Sequence, residues 1–353
     1  MSFPDAPLEA DLPRKRRPWL VVLPFALLVL AGLVWTGGWF YASARAEQEI
    51  DGWIAAEAAK GRVWACADRK LGGFPFRFEL MCDQPSVTLT GAGQWSWTAA
   101  RAHAVAQVWN PSHIIAEFQG PARLAEATSG RQIEASWSLL QVSGVGSRGE
   151  IERTSVSAND YTLSESGTTV FAAKHAEFHA RHHPGATGNT LDLAMGVKGA
   201  SGLATGAPAG AAAAAPVDGE LQVMISQVPE FRTMPVEERV ALWQAAGGRV
   251  TVEVAKLSAG GGSMSATGEI GLDPQRRLDG MLNLSLANAP ALLNALSTAG
   301  LMPVAAANVA PLLMAAGMPS GTGGGSASSF PFVFRGGRVT LGILPLGKIG
   351  PLF

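Results

Sequence analysis

Charge is scarce in this chain and nearly balanced: 27 Lys and Arg face 28 Asp and Glu across 353 residues, a formal net charge of −1. With no excess of either sign, no global field draws it to nucleic acid or to an acidic partner, and nucleic acid is not an expected partner. Cysteine is scarcer still. Cys66 and Cys82 stand alone, too few for a disulfide-built miniprotein or a four-cysteine zinc site, and their spacing is not C-x-x-C. G-x-S-x-G, H-E-x-x-H and a Walker loop are missing, and the scattered carboxylates single out no acid and base. No catalytic residue, cofactor or metal ligand is therefore assigned, and the expectation is a protein that is not an enzyme.

Two fragments imitate chemistry. Gly144-Val145-Gly146-Ser147-Arg148-Gly149 matches G-x-G-x-x-G, but Glu150-Ile151-Glu152-Arg153 alternates like a strand, and a dinucleotide site needs a helix N-terminus there. His175, His179, His182 and His183 cluster, yet Ala176, Phe178 and Ala180 alternate with His175, Glu177, His179 and Arg181. That is a strand with a polar outer face rather than a helix presenting ligands at i and i+4. Trp95, Trp97, Trp109 and Trp137 lack the basic groove that base stacking requires and read as sheet aromatics.

One long apolar run is present. Residues 19–41 carry no charge, and 23 residues at 1.5 Å each reach about 34 Å, enough for a bilayer core. Trp19, Trp35, Trp39 and Tyr41 sit near its ends as interfacial aromatics. Arg14, Lys15, Arg16 and Arg17 precede it, whereas Glu47, Glu49 and Asp51 follow. The positive-inside rule then gives a cytoplasmic tail (1–18), a transmembrane helix (19–41), a stalk helix (42–61) and an exported domain (62–353), anchored in the inner membrane with its bulk in the periplasm. Ala42-Ser43-Ala44 also fits a signal-peptidase site, but the apolar run exceeds a signal core, which favours retention. Export suits a Cys66–Cys82 disulfide, with two free buried thiols as the alternative.

The exported part alternates with period two. Phe74, Phe76, Phe78 and Leu80 form one such set; Ile133, Ala135, Trp137 and Leu139 another; Leu191 to Val197, Leu221 to Ile225 and Val250 to Val254 continue it. Two hairpins can be registered: 264–272 with 278–286 about Asp273-Pro274-Gln275-Arg276, and Phe334 with Val339, Phe332 with Leu341 and Phe330 with Ile343 about Gly336-Gly337. A tight turn at Gly72-Gly73 would set Cys66 opposite Glu79, so the disulfide asks for a looser loop. Residues 235–246 form an amphipathic helix with Val236, Val240 and Trp243 on its stripe. The fold class is mainly β: a large, one-sided, antiparallel, curved sheet, groove-like or half-barrel, with a few short helices and the N-terminal transmembrane helix. Segments 199–216 and 320–329 read as Gly/Ala/Ser loops. From Gly280 to Phe334 there is no charge at all; apolar helices at 290–298 and 304–316 either bury against the sheet or face lipid, which makes Leu292, Leu296, Leu312, Leu313 and Met314 candidate lipid or membrane contacts.

A basic tail, one apolar helix, Gly73-Phe74-Pro75-Phe76-Arg77-Phe78 flanked by Cys66 and Cys82, and a closing Phe334-Arg335-Gly336-Gly337-Arg338-Val339 together resemble the bacterial family catalogued as domain of unknown function 2125. More distantly, a one-sided sheet behind a single anchor looks like the AsmA-type envelope proteins, a resemblance that implies lipid carriage in an apolar β-groove. The expected partners are membrane lipid and an envelope protein. The alternatives are an extracytoplasmic enzyme acting on an envelope component and a protein-binding scaffold.

Overall fold

Helix α1 (Trp19–Ala59) is a single rod of 41 residues, so the apolar run and the stalk are continuous. The computed structural model describes residues 19–90, 94–147, 150–186, 188–202, 215–230, 234–299, 318–319, 327–342 and 344–352. The basic residues Arg14 to Arg17 lie outside them, as do Leu312, Leu313, Met314 and Ile343. The first part of α1 is long and apolar enough to cross a membrane, with Phe25, Leu28 and Val34 exposed. It stops at Gly61, whose φ of +80° is the left-handed conformation that commonly ends a helix.

The strands described after α1 belong to one antiparallel sheet. Its first half comprises β1 (Arg62–Ala65), β2 (Asp68–Gly72), β3 (Arg77–Asp83), β4 (Ser86–Leu89), β5 (Trp95–Thr98), β6 (Arg101–Gln107), β7 (Asn110–Gln119), β8 (Ala122–Glu126), β9 (Gln132–Ser136), β10 (Leu139–Ser147) and β11 (Glu150–Glu165). Then come β12 (Thr168–His182), β13 (Leu191–Ala200), β14 (Val217–Ile225), α2 (Val236–Ala245), β15 (Arg249–Ala259), β16 (Gly262–Leu272), β17 (Leu278–Ala287) and α3 (Ala289–Thr298). The two-residue β18 (Met318–Pro319), β19 (Ala327–Arg335), β20 (Arg338–Leu341) and β21 (Leu344–Lys348) complete it. The segment 327–329, expected in a loop, is the start of β19. Both registered hairpins form, with Met264 opposite Leu286 and Phe332 opposite Leu341.

The many short strands of the first half are pieces of longer ones. β1 and β2 pair with β4 and β3 in one continuous register, and the same holds for β5 and β6 against β4 and β3. β9 and β10 both pair with the unbroken β11. The breaks fall side by side at 66–67, 84–85, 99–100, 120–121 and 137–138, forming a crease across the sheet that is marked by positive φ at Gln84 and Asp160, both 49°. Seen this way, the sheet is a meander in which neighbouring strands follow chain order, and it is not closed.

The crease explains one failed expectation. Ile133 and Ala135 precede it and Trp137 stands in it, and there the alternation slips by one residue. Leu140 and Val142 therefore continue the apolar face, while Leu139 pairs with Asn159 on the polar side and is 37% exposed. Val236 of α2 also leaves its expected stripe and is exposed, whereas Trp243 turns inward and donates Nε1–H to Ser226 O at 2.8 Å.

Candidate functional site

The apolar face can be traced residue by residue, because directly paired residues of antiparallel strands point the same way. Leu71, Leu80, Ala104, Ala116, Val142, Val156, Phe178, Met195, Leu221, Ala255, Ala266, Leu284 and Phe330 are successive partners on thirteen strands. At about 4.8 Å per step the row is about 58 Å long. One residue along, on the opposite face, run Lys70, Met81, His103, Glu117, Gln141, Ser157, Glu177, Gly196, Glu220, Lys256, Ser265, Ser285 and Ser329. Apart from Met81 and Gly196, the two rows are therefore chemically opposite.

Only one end of the apolar face is sealed among the described residues. There α3 lays Leu292, which is 0% exposed, and Leu296 against Leu286, Phe330 and Leu341. The helix comes close because Gly262 has no side chain: a Cβ there would stand 2.5 Å from Leu292 N and 2.6 Å from Asn288 O. Leu292 is therefore a core residue and not the lipid contact expected of it, and Leu296 packs against the same core. Elsewhere the row is only half-buried, and Met195 is 43% exposed.

At the other end of the face stands α1. The segment Gly73-Phe74-Pro75-Phe76 is not the start of a strand, as its alternation suggests. It is the turn between β2 and β3, held by Arg77 N–H donating to Gly73 O at 3.1 Å, with Gly73 at a φ of +99°. The turn grips α1. Trp39 stacks on Phe78 at 5.8 Å and meets Phe74 edge-on at 5.5 Å, while Trp35 reaches Phe76 at 6.5 Å. Trp35 and Trp39 donate Nε1–H to Pro75 O and Arg77 O at 2.9 and 3.1 Å. Phe78 belongs to the apolar face, pairing with Ala106 two residues from Leu80. At the far end of β2 and β3 from this turn, beside the crease, Cys66 and Cys82 form a disulfide with Cα atoms 5.6 Å apart. The sequence contained this contact as a run of aromatics, but its partners are separated by about 40 residues and their pairing is not a local pattern.

Two hollows open on the polar face. One of about 690 Å³ is lined by Glu177, Glu220, Lys256 and Ser265, and a second of about 430 Å³ by Arg153, His179, Arg181 and Asp192. His175, His179 and His182 stand on β12 and His183 just beyond it; His175 Nδ1 bonds with Asn159 Oδ1 at 2.7 Å, His179 Nδ1 with Ser155 Oγ at 2.9 Å and His183 Nδ1 with Asp192 Oδ1 at 2.8 Å. The hydrogen bond with His179, then that with His175, lowers the Glu177 carboxyl despite its partial burial. Burial raises Asp192, but bonds from His183 and Arg181 outweigh it and leave the carboxyl below its ordinary value. No group of three or more His, Cys, Asp or Glu is placed to hold a metal among the described residues. Residues 144–147 of the G-x-G-x-x-G segment are the end of β10, and the residues after the segment are strand β11 and not a helix N-terminus.

A family model described as an uncharacterized protein conserved in bacteria (DUF2125) matches residues 39–350. The chain belongs to the DUF2125 family. The match begins at Trp39, so the DUF2125 region holds both partners of the Trp39–Phe78 stack. Neither a curated protein nor a solved structure matches this DUF2125 chain, and the expected likeness to AsmA-type proteins is not confirmed.

Proposed function

We propose that this DUF2125 protein is tethered by α1 in the inner membrane and holds the acyl chains of membrane lipid on the apolar face of its sheet in the periplasm, acting by binding and not by catalysis. The observation that carries the reading is the thirteen-residue apolar row, which starts beside α1 and ends under α3. Burying about 25 cal/mol for each Å² of apolar area makes a half-covered face of this length a strong site for a long apolar ligand. Its near end meets the helix that passes into lipid, so an acyl chain leaving the bilayer beside Trp39 encounters Phe78 and then Leu80 without crossing a polar surface. Cys66–Cys82 suits an oxidising compartment.

A photocrosslinking residue placed at Phe178 or Met195, with a second at Leu28 as a positive control, tests this in living cells. Lipid attached at both levels is the expected result. Lipid attached at Leu28 with none at Phe178 or Met195 would sink the lipid-holding reading and turn attention to the polar hollows, where an enzyme or a protein-binding scaffold would have its groups.

A further inference from the structure

Three successive hairpins of the sheet point the same way: the turn 73–76 between β2 and β3, the turn 108–109 between β6 and β7, and the connection between β10 and β11. They are neighbours, because β3 pairs with β6 and β7 with β10. Each carries apolar side chains that the protein leaves uncovered: Phe74 and Phe76 are 48% and 58% exposed, Trp109 64% and Ile151 70%. The opposite ends of the same strands turn through Thr128-Ser129-Gly130 and Ser166-Gly167, with no aromatic residue. An uncovered aromatic rim at one end of a sheet is costly in water and favourable where rings sit between headgroups and acyl chains.

The height of the rim is set by α1. Trp35 is 16 residues beyond Trp19, about 24 Å along the helix, and Tyr41 about 33 Å, which places this stretch at the far boundary of a bilayer core of about 30 Å. Trp35 touches Phe76, and Phe76 touches Trp109 at 6.4 Å, so the tips stand level with that boundary.

We propose that the hairpin tips bearing Phe74, Phe76, Trp109 and Ile151 sit in the headgroup layer of the membrane that α1 crosses, so the domain rides on the lipid surface in one orientation instead of swinging on a stalk. The proposal rests on α1 being a membrane anchor, and it does not require lipid to bind the apolar face. A surface seated in this way keeps the near end of that face at the bilayer boundary.

The test uses the full chain in phosphatidylethanolamine and phosphatidylglycerol vesicles. An environment-sensitive dye is attached to a single introduced thiol, the native cysteines being paired: Trp109→Cys, Ile151→Cys, Ser129→Cys, or Leu28→Cys. The expected result is quenching by headgroup-level spin-labelled lipid at positions 109 and 151, quenching by mid-chain spin label at 28, and none at 129. Water-like emission without quenching at 109 and 151, with 28 still buried, overturns the rim while leaving the anchor intact. Position 28 unquenched overturns the anchor and the rim together. Because 109 and 151 are exposed and on separate hairpins, a fold defect at one leaves the other to decide.

Discussion

Gly262→Ala isolates the seat of α3, and the sign of its effect is the test. Gly262 has an ordinary backbone conformation, so on entropy alone alanine would stabilise by about 0.4–1 kcal/mol. The missing Cβ would, however, stand 2.5 Å from Leu292 N, and relieving it to a normal contact requires α3 to lift by about 1 Å. A gap of that size forfeits a quarter to a half of the contact energy. Leu292 and Leu293, both buried, together contribute roughly 5–6 kcal/mol. Set against the entropic gain, the expected net loss is about 0.5–2.5 kcal/mol, read as a fall of roughly 1–5 °C in Tm for a chain of this size. Circular dichroism melting of the detergent-solubilised full chain measures it, with Gly144→Ala, where a Cβ meets nothing within 4 Å, as the control. A Tm unchanged or raised in Gly262→Ala would refute the close seating of α3.

Trp39→Ala removes a nearly buried ring and its hydrogen bond, for an expected cost of about 3–5 kcal/mol; limited proteolysis at 60–76 should become faster, and unchanged kinetics would count against the α1 clamp. Cys66→Ser with Cys82→Ser opens a loop of 16-residue separation and should destabilise by about 3 kcal/mol in the chain-entropy model, as should reductant in the wild type but not in the double variant. Asp192→Asn tests the ion pairs of the polar face. Because the folded carboxyl lies below its unfolded value of about 3.9, its stabilisation is fully present above about pH 5 and is lost as pH falls through the folded value. The Tm gap between wild type and Asp192→Asn should be constant above pH 5 and close below pH 4; a gap that widens in acid would reverse the assignment.

Much of the fold was written in period-two alternation. β13 to β17 and both registered hairpins read directly, because a sheet with one wet face forces every second residue to be apolar. What misled was the same rule applied across interruptions it does not record. Phe74 and Phe76 alternate with Pro75 and Arg77 as a strand would, yet their face is α1, a partner invisible to a local pattern. Leu139 keeps the spacing of Ile133 to Trp137 although the crease at 137–138 has already changed the phase. The charge-free stretch 280–334 announced an apolar environment and left open whether protein or lipid supplied it; for Leu292 it is protein, and Gly262, the residue that admits it, carries no hydrophobic signal at all. The polar hollows were equally silent, since they arise where distant strands place ordinary Glu, Lys and Ser side by side.

The meander also bears on how the molecule comes into being. Each composite strand needs only the one before it, so contacts are local in sequence and closure of long loops is largely avoided. A chain that emerges N-terminus first meets a finished edge each time a new strand follows. Assembly becomes a zipper that starts at the disulfide-bearing hairpin and runs outward from α1. Two late strands, β19 with Phe330 and β20 with Leu341, then complete the pocket under α3, so the apolar face acquires its end wall only when nearly the whole chain has emerged. Chains truncated after β13 should already protect the amides of β3 and β6 from hydrogen exchange while leaving the later strands unformed.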